Sequence, residues 1–196
     1  MSGVQKASIS VRPADDVLKR YGNMLGSVSG REGHRAMARA INRTVVGAHV
    51  QVSRAVAKQS SIPLAEVRRS MKRKMVNPGS RGALQGALEA SSPAKPIRDF
   101  MPKQFAWGVR VKAWGKMQRY PGAFIFAGTF KSGKPVAKFH ALVNRRTAIN
   151  PLEIMYGPSV PQEMVRRPSS DVFETTAYRI LPQRLHHELG RLFRLK

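Results

Sequence analysis

Apolar residues recur at spacings of three and four along a proline-free run from Glu32 to Lys58, through Ala38, Ile41, Val45, Ala48, Val52 and Ala55, which predicts one long amphipathic helix. Its apolar face is narrow and built of small side chains, suited to lying across a sheet or against a neighbour. On the same helix Arg35, Arg39 and Arg43 repeat every four residues and stack into a basic stripe, readable either as a solvated flank or as a phosphate-facing surface. Upstream, Ser8 to Val11 is a short strand-like patch. Ala14 to Leu25 places Val17, Leu18, Tyr21 and Leu25 on one face, with Asp15 and Asp16 in the first turn where the helix dipole favours anions, so a short helix is expected there. Ser27 to Gly33 reads as a hinge.

Past the long helix, Ile62-Pro63 opens a second short helix over Leu64 to Met75, because a proline near the first helical position gives up an N–H that has no partner anyway. Asn77-Pro78-Gly79-Ser80 ends it, and Arg81 to Asp99 is rich in Gly, Ala, Ser and Pro with weak alternation, so an extended arm or long loop is expected. Phe105, Trp107, Val109, Val111 and Ala113 then alternate with Gln104, Ala106, Gly108, Arg110 and Lys112, a period-2 strand with one apolar and one mostly basic face. After a turn at Gly115 to Gln118, Gly122 to Phe130 is a more continuous apolar strand, and Lys131-Ser132-Gly133-Lys134 reads as a hairpin turn returning through Val136 to Val143. Asn150 to Pro161 is ordered by prolines. Ser169 or Ser170 can cap a final helix with Asp171 and Glu174 in its first turn and Phe173, Ala177, Ile180, Leu185, Leu189 and Leu192 along its apolar face, with a kink or restart at Pro182. The expected fold is a single α+β domain over 1–196: a long N-terminal amphipathic helix and a C-terminal helix packed on a small antiparallel β-sheet. Its parts are a helical basic region (30–76), an extended arm or loop (77–103), the sheet (104–145), a Pro-rich segment (146–168) and the last helix (169–196).

Charge sharpens this outline. The 196 residues carry 35 Lys+Arg against 11 Asp+Glu, a formal net charge of +24, while 42% hydrophobic content is enough for a modest core. Such an excess is relieved by phosphate or by acidic protein surfaces. The densest patch is Arg68, Arg69, Lys72, Arg73 and Lys74, with no acid between Glu66 and Glu89. Together with Arg35, Arg39 and Arg43 these are the candidate DNA-phosphate contacts. The absence of cysteine excludes disulfides, thiolate metal sites and thiol nucleophiles, and no stretch approaches the roughly 18 apolar residues of a membrane span.

Support for catalysis is thin. His186 and His187 diverge by about 100° on a helix and cannot both ligate one metal, His140 sits in an otherwise apolar and basic strand, and Asp15-Asp16 is explained by the helix dipole. Gly128 to Lys134 has the wrong spacing for a phosphate-binding loop. No catalytic, metal or cofactor residue is therefore expected, and no enzyme. Trp107, Trp114, Tyr120 and Phe124 among Arg110, Lys112 and Arg119 suggest a base-stacking platform, but alternation puts Trp107 on the apolar face, which favours core packing. Any contact with nucleic acid is expected through phosphates, without sequence preference.

Three segments carry a resemblance: Ala40-Ile41-Asn42-Arg43-Thr44, Tyr120-Pro121-Gly122-Ala123-Phe124-Ile125, and Pro151 to Pro161 with Tyr156-Gly157-Pro158 at its centre. In sequence and order they are similar to the minor tail protein Z family of long-tailed phages and prophages. The resemblance implies a virion structural protein, a tail-completion protein at the head-proximal end of the tail, made in the host cytoplasm. It further implies assembly with itself into a ring, six-fold in keeping with neck rings, beside tail terminator or tail tube proteins and head–tail connector proteins, around the end of the viral DNA and without a membrane. Ile41, Asn42, Arg43, Pro121, Gly122, Ala123, Phe124, Tyr156, Gly157 and Pro158 would then be structural. From the charge alone, a cytoplasmic non-specific nucleic-acid-binding protein is the alternative.

Overall fold

The computed structural model describes residues 3–11, 31–79, 84–126, 142–146 and 152–194. The expected helix over 14–25, the turn at 131–134, most of its return strand, His140 and the start of the Pro-rich segment lie outside the described residues. The fold is α+β, with a long N-terminal and a C-terminal helix packed with small antiparallel sheets.

Helix α1 (Arg31–Ser60) is the axis of the molecule. Its predicted apolar positions Ala38, Ile41, Val45, Ala48 and Val52 are fully buried. On one side runs the C-terminal helix, α4 (Ser169–Arg194), which passes through Pro182 without ending. Arg39 meets Glu188, a Cβ on Gly47 would come within 2.8 Å of Ile180, and Gln59 meets Ser169. The sum of the paired residue numbers stays nearly constant, so the two helices are antiparallel in one register over about 20 residues, or about 30 Å. Beside them, α3 (Val160–Val165) is tied in by Gln59, which accepts from Ser169 Oγ and donates to the buried carboxylate of Glu163, both at 2.6 Å.

On the other side of α1 lies a three-stranded antiparallel sheet in the order β1-β3-β2. It comprises β1 (Gln5–Val11), β2 (Met71–Lys74) and β3 (Gly86–Ser92). Two expectations are corrected here. First, the helix expected over residues 64–75 is only α2 (Leu64–Ser70): Met71 turns extended, and the chain continues as an edge strand paired with β3 from Met71↔Ala90 to Lys74↔Ala87. Second, the supposed arm over 77–103 contains the central strand of this sheet, with Leu88 fully buried. Its small residues had suggested a weak core, but they are what close helix–sheet approach requires. A Cβ on Gly86 would sit 2.6 Å from Val45 Cγ2 and 2.8 Å from Ile41 Cγ2.

After a 3-10 turn at Ile97–Phe100 come two further three-stranded sheets rather than one. The first is β4 (Lys103–Phe105), β5 (Gly108–Ala113) and β6 (Lys116–Pro121); the second is β7 (Ala123–Phe126), β8 (Leu142–Arg146) and β9 (Leu152–Ile154). The single strand expected over 104–113 is thus a hairpin, turning at Ala106-Trp107, with Gly108 at φ +146° where a Cβ would lie 2.2 Å from the Tyr120 carbonyl. The turn changes the alternation. Phe105 pairs with Gly108, so it shares a face with Arg110 and Lys112 rather than with Val109 and Val111. Trp114 and Gly115 form the β5–β6 turn with φ +52° and +69°, the double positive φ of a twisted two-residue hairpin.

Candidate nucleic-acid interface

The eight candidate phosphate contacts do not form one patch. Arg35, Arg39 and Arg43 are all exposed on α1, as the periodicity implied. Arg39 is committed elsewhere: its Nε donates to the buried Glu188 carboxylate at 2.7 Å, holding α1 to α4. Arg35 and Arg43 have no acidic partner among the described residues.

The cluster at 68–74 is divided by the change from helix to strand. Strand alternation sends Lys72 and Lys74 to the outer face of the sheet and Arg73 to the side of α1. On the outer face, a groove of about 640 Å³ is lined by Lys6, Arg69 and Lys72 with the hydroxyl-bearing residues Ser8, Ser70 and Ser91. Cross-strand pairing brings them together, Lys6 opposite Ser91 and Lys72 opposite Glu89. Glu89 is the acid of this face, opposite Lys72 and 3.6 Å from Lys74, so one carboxylate meets four cations and the groove stays net positive. Two lysines of the sheet and Arg69 from the end of α2, interleaved with hydroxyl donors, suit a run of phosphates. Lys6 was not among the expected residues: only the β1–β3 pairing brings it beside Arg69 and Lys72.

The second face lies along the flank of α1. Ser53 Oγ reaches Met71 Sδ at 3.7 Å, and Asn42 clamps Val76 from both ends, donating from Nδ2 to its carbonyl and accepting its N–H at Oδ1, each at 2.8 Å. About 11 residues of helix thus run beside about five residues of strand and the extended chain after it, each about 16 Å long, so this edge lies flush with the helix. Within this seam burial, then the charge of Arg73 and less so Arg68, pushes the His49 imidazole below its usual range, against a backbone hydrogen bond with Met71 that acts the other way. Burial and the charges of Arg73 and Arg68 thus disfavour a further positive charge on His49, and an anion bound beside these arginines would relieve that repulsion. The charges on β2 also guard an edge strand against pairing with another chain.

Trp107 departs from expectation: it is 42% exposed at the β4–β5 turn, not in the core. Its ring stacks on Phe105 at 5.4 Å and 10°, Arg110 lies 4.7 Å over Phe105, and Arg119 lies 5.5 Å over Trp107. The ring faces are engaged by one another and by guanidinium groups, an arrangement for fixing a hairpin rather than for receiving a base.

The residues that carry the family resemblance sit at joints. Ile41 is core and Asn42 is the Val76 clamp, while Arg43 is exposed. Pro121 and Gly122, at φ +71°, connect β6 to β7, where Ala123 is buried and Phe124 half-buried. Tyr156 bridges Pro96, the Gly157 N–H donates to the Lys95 carbonyl at 2.6 Å, and the Pro158 carbonyl accepts from the Lys95 N–H at 3.3 Å. A Cβ on Gly157 would lie 2.9 Å from the Phe100 ring. Gly157 to Pro161 are buried, so this segment is packed rather than displayed.

Among the described residues no group of three or more His, Cys, Asp or Glu is placed to hold a metal, and no helix is long and apolar enough to cross a membrane. His186 and His187 are exposed, while Glu188 turns inward to Arg39. No protein-family model, curated protein or solved structure matches this chain.

Proposed function

We propose that the chain is a structural subunit of a phage virion, a minor tail protein that completes the tail at its head-proximal end and helps form the head–tail junction. In this reading it assembles with copies of itself into a ring, six-fold by analogy with neck rings, between tail terminator or tail tube proteins and head–tail connector proteins. It holds the end of the packaged DNA through non-specific phosphate contacts, acting as a scaffold rather than an enzyme. The observation that carries the reading is the pairing of two features. The family-like residues are the joints of the fold, and the free cations lie on two exposed faces of rigid elements. Basic faces of this kind suit a phosphate backbone that is held but not read.

The net positive groove at Lys6, Arg69 and Lys72 equally favours a second reading, a cytoplasmic protein that coats nucleic acid without sequence preference. Assembly state separates the two. Light scattering of the purified chain, and negative-stain images of particles made without it, should give a ring-sized oligomer and tails that fail to join heads. A monomer that binds duplex, with normal head–tail joining in its absence, would establish the second reading instead.

A further inference from the structure

Between the C-terminal end of α1 and the outer face of the β4-β5-β6 sheet lies a cleft of about 750 Å³ that neither basic face uses. Its lining includes the buried Ile62, Phe100 and Val111 and the exposed Met101 and Met117, the last two 88% and 56% exposed. Four cations surround it: Lys58, Lys103, Arg110 and Lys112. The one acid on its lining, Asp99, is already 3.5 Å from Arg98. The Arg110 Nε is buried without a hydrogen-bond partner among the described residues.

Backbone geometry singles out the same place. Among the described residues the non-glycine positions with positive φ are Ser61 (64°), Met101 (50°) and Trp114 (52°). Ser61 and Met101 line the cleft, and Trp114 precedes Gly115, which does too. Ser61 and the Trp114-Gly115 turn are pinned by the Ser61 N–H on the Ala57 carbonyl (3.0 Å), the Trp114 N–H on the Ser60 carbonyl (3.3 Å) and the Gly115 N–H on Ser61 Oγ (3.0 Å). These turn and cap conformations, tied to one another, give the cleft a fixed backbone rim.

We infer that this cleft docks an acidic, apolar peptide segment of a partner protein, its large apolar side chains packing against Met101 and Met117 and its carboxylates meeting Lys58, Lys103, Arg110 and Lys112. A nucleic acid would satisfy the cations but leave the apolar lining unfilled, and an uncharged peptide would do the reverse. A second copy of this chain does not fit: its 11 acids are scattered among 35 basic residues, and the described ones are largely held in its own ion pairs. Exposed methionine adapts to the shape of the inserted side chain. The inference stands whether or not the chain belongs to a virion.

The test is a peptide-display selection on the full chain with a library of short peptides, followed by anisotropy with labelled winners. The variants are Lys103→Glu/Lys112→Glu and Met117→Ser, all at exposed positions that leave the core intact. Enriched peptides should combine acids with large apolar residues, bind at least tenfold more weakly to the charge-reversed variant, and also weaken on Met117→Ser. A matched peptide with its apolar residues replaced by serine should lose binding. Three outcomes would overturn the inference: no enrichment, winners without acids or insensitive to both variants, or a single-stranded oligonucleotide that binds the cleft more tightly than any peptide and is weakened by the charge reversal but not by Met117→Ser.

Discussion

Replacing Lys6, Arg69 and Lys72 together by glutamine removes three positive charges of the outer sheet groove while leaving Glu89 with Lys74. All three side chains are exposed, so the fold is retained. Each phosphate contact to duplex DNA contributes about 0.9 to the slope of log affinity against log salt. Three contacts therefore amount to about 2.7 units, and a fourfold rise from about 50 to about 200 mM salt weakens the intact protein about 40-fold more than the triple variant. Fluorescence anisotropy with two duplexes of unrelated sequence reads this directly, and both should give the same slope change. Arg39→Gln should leave the slope unaltered, because that guanidinium already serves Glu188. A slope unchanged in the triple variant, or one that falls for only one duplex sequence, would refute the assignment of this face. Neutralising all of Arg68, Arg69, Lys72, Arg73 and Lys74 should weaken binding to any duplex and flatten its slope further, since that set spans both faces.

Further predictions concern the joints. Arg39→Met leaves a buried carboxylate without its partner and should cost about 2 kcal/mol in denaturant unfolding, below the range for fully buried pairs because Arg39 is partly solvated; adding Glu188→Met should restore most of it. Asn42→Ala removes both bonds to Val76 and should destabilise by about 2 kcal/mol, with Asn42→Asp intermediate because only the accepting half survives. The lowered pKa of His49 means the unfolded chain takes up a proton first as pH falls, so this residue's contribution is full above the ordinary value of 6.5 and is lost progressively below it, down to the folded value. His49→Gln should flatten the fall in melting temperature from neutral to mildly acid pH, and an unchanged profile would show that burial and the neighbouring arginines do not hold its pKa down.

Much of the fold was legible because periodicity reports burial. The long helix was expected over residues 32–58 and is found at Arg31–Ser60, and the last helix begins at Ser169, where the Ser169 hydroxyl donates to Gln59 rather than capping the helix. What escaped the pattern did so for physical reasons. Strand β3 carries a single large apolar residue, Leu88, and at Gly86 α1 lies so close that no side chain fits, and small residues in sequence look like a loop. The stretch from Met71 to Lys74 is too short and too charged to show alternation, and only its pairing with β3 makes it a strand. At Ala106-Trp107 a tight turn reversed the face of Phe105, which no alternation count detects, and put Trp107 in solvent. The site was less legible than the fold. Charge density identified Arg68 to Lys74, but the split of that cluster between two faces, the recruitment of Lys6 and the engagement of Arg39 by Glu188 all depend on long-range pairing.

The proposal that this chain completes a phage tail is tested most directly by a density map of the neck of intact virions, with particles made without the chain imaged alongside. The account predicts a ring of this α+β subunit at the head-proximal end of the tail, with Lys6, Arg69 and Lys72 towards the DNA, and unjoined heads and tails when it is missing. A neck without this subunit, or normal infective particles in its absence, would contradict it.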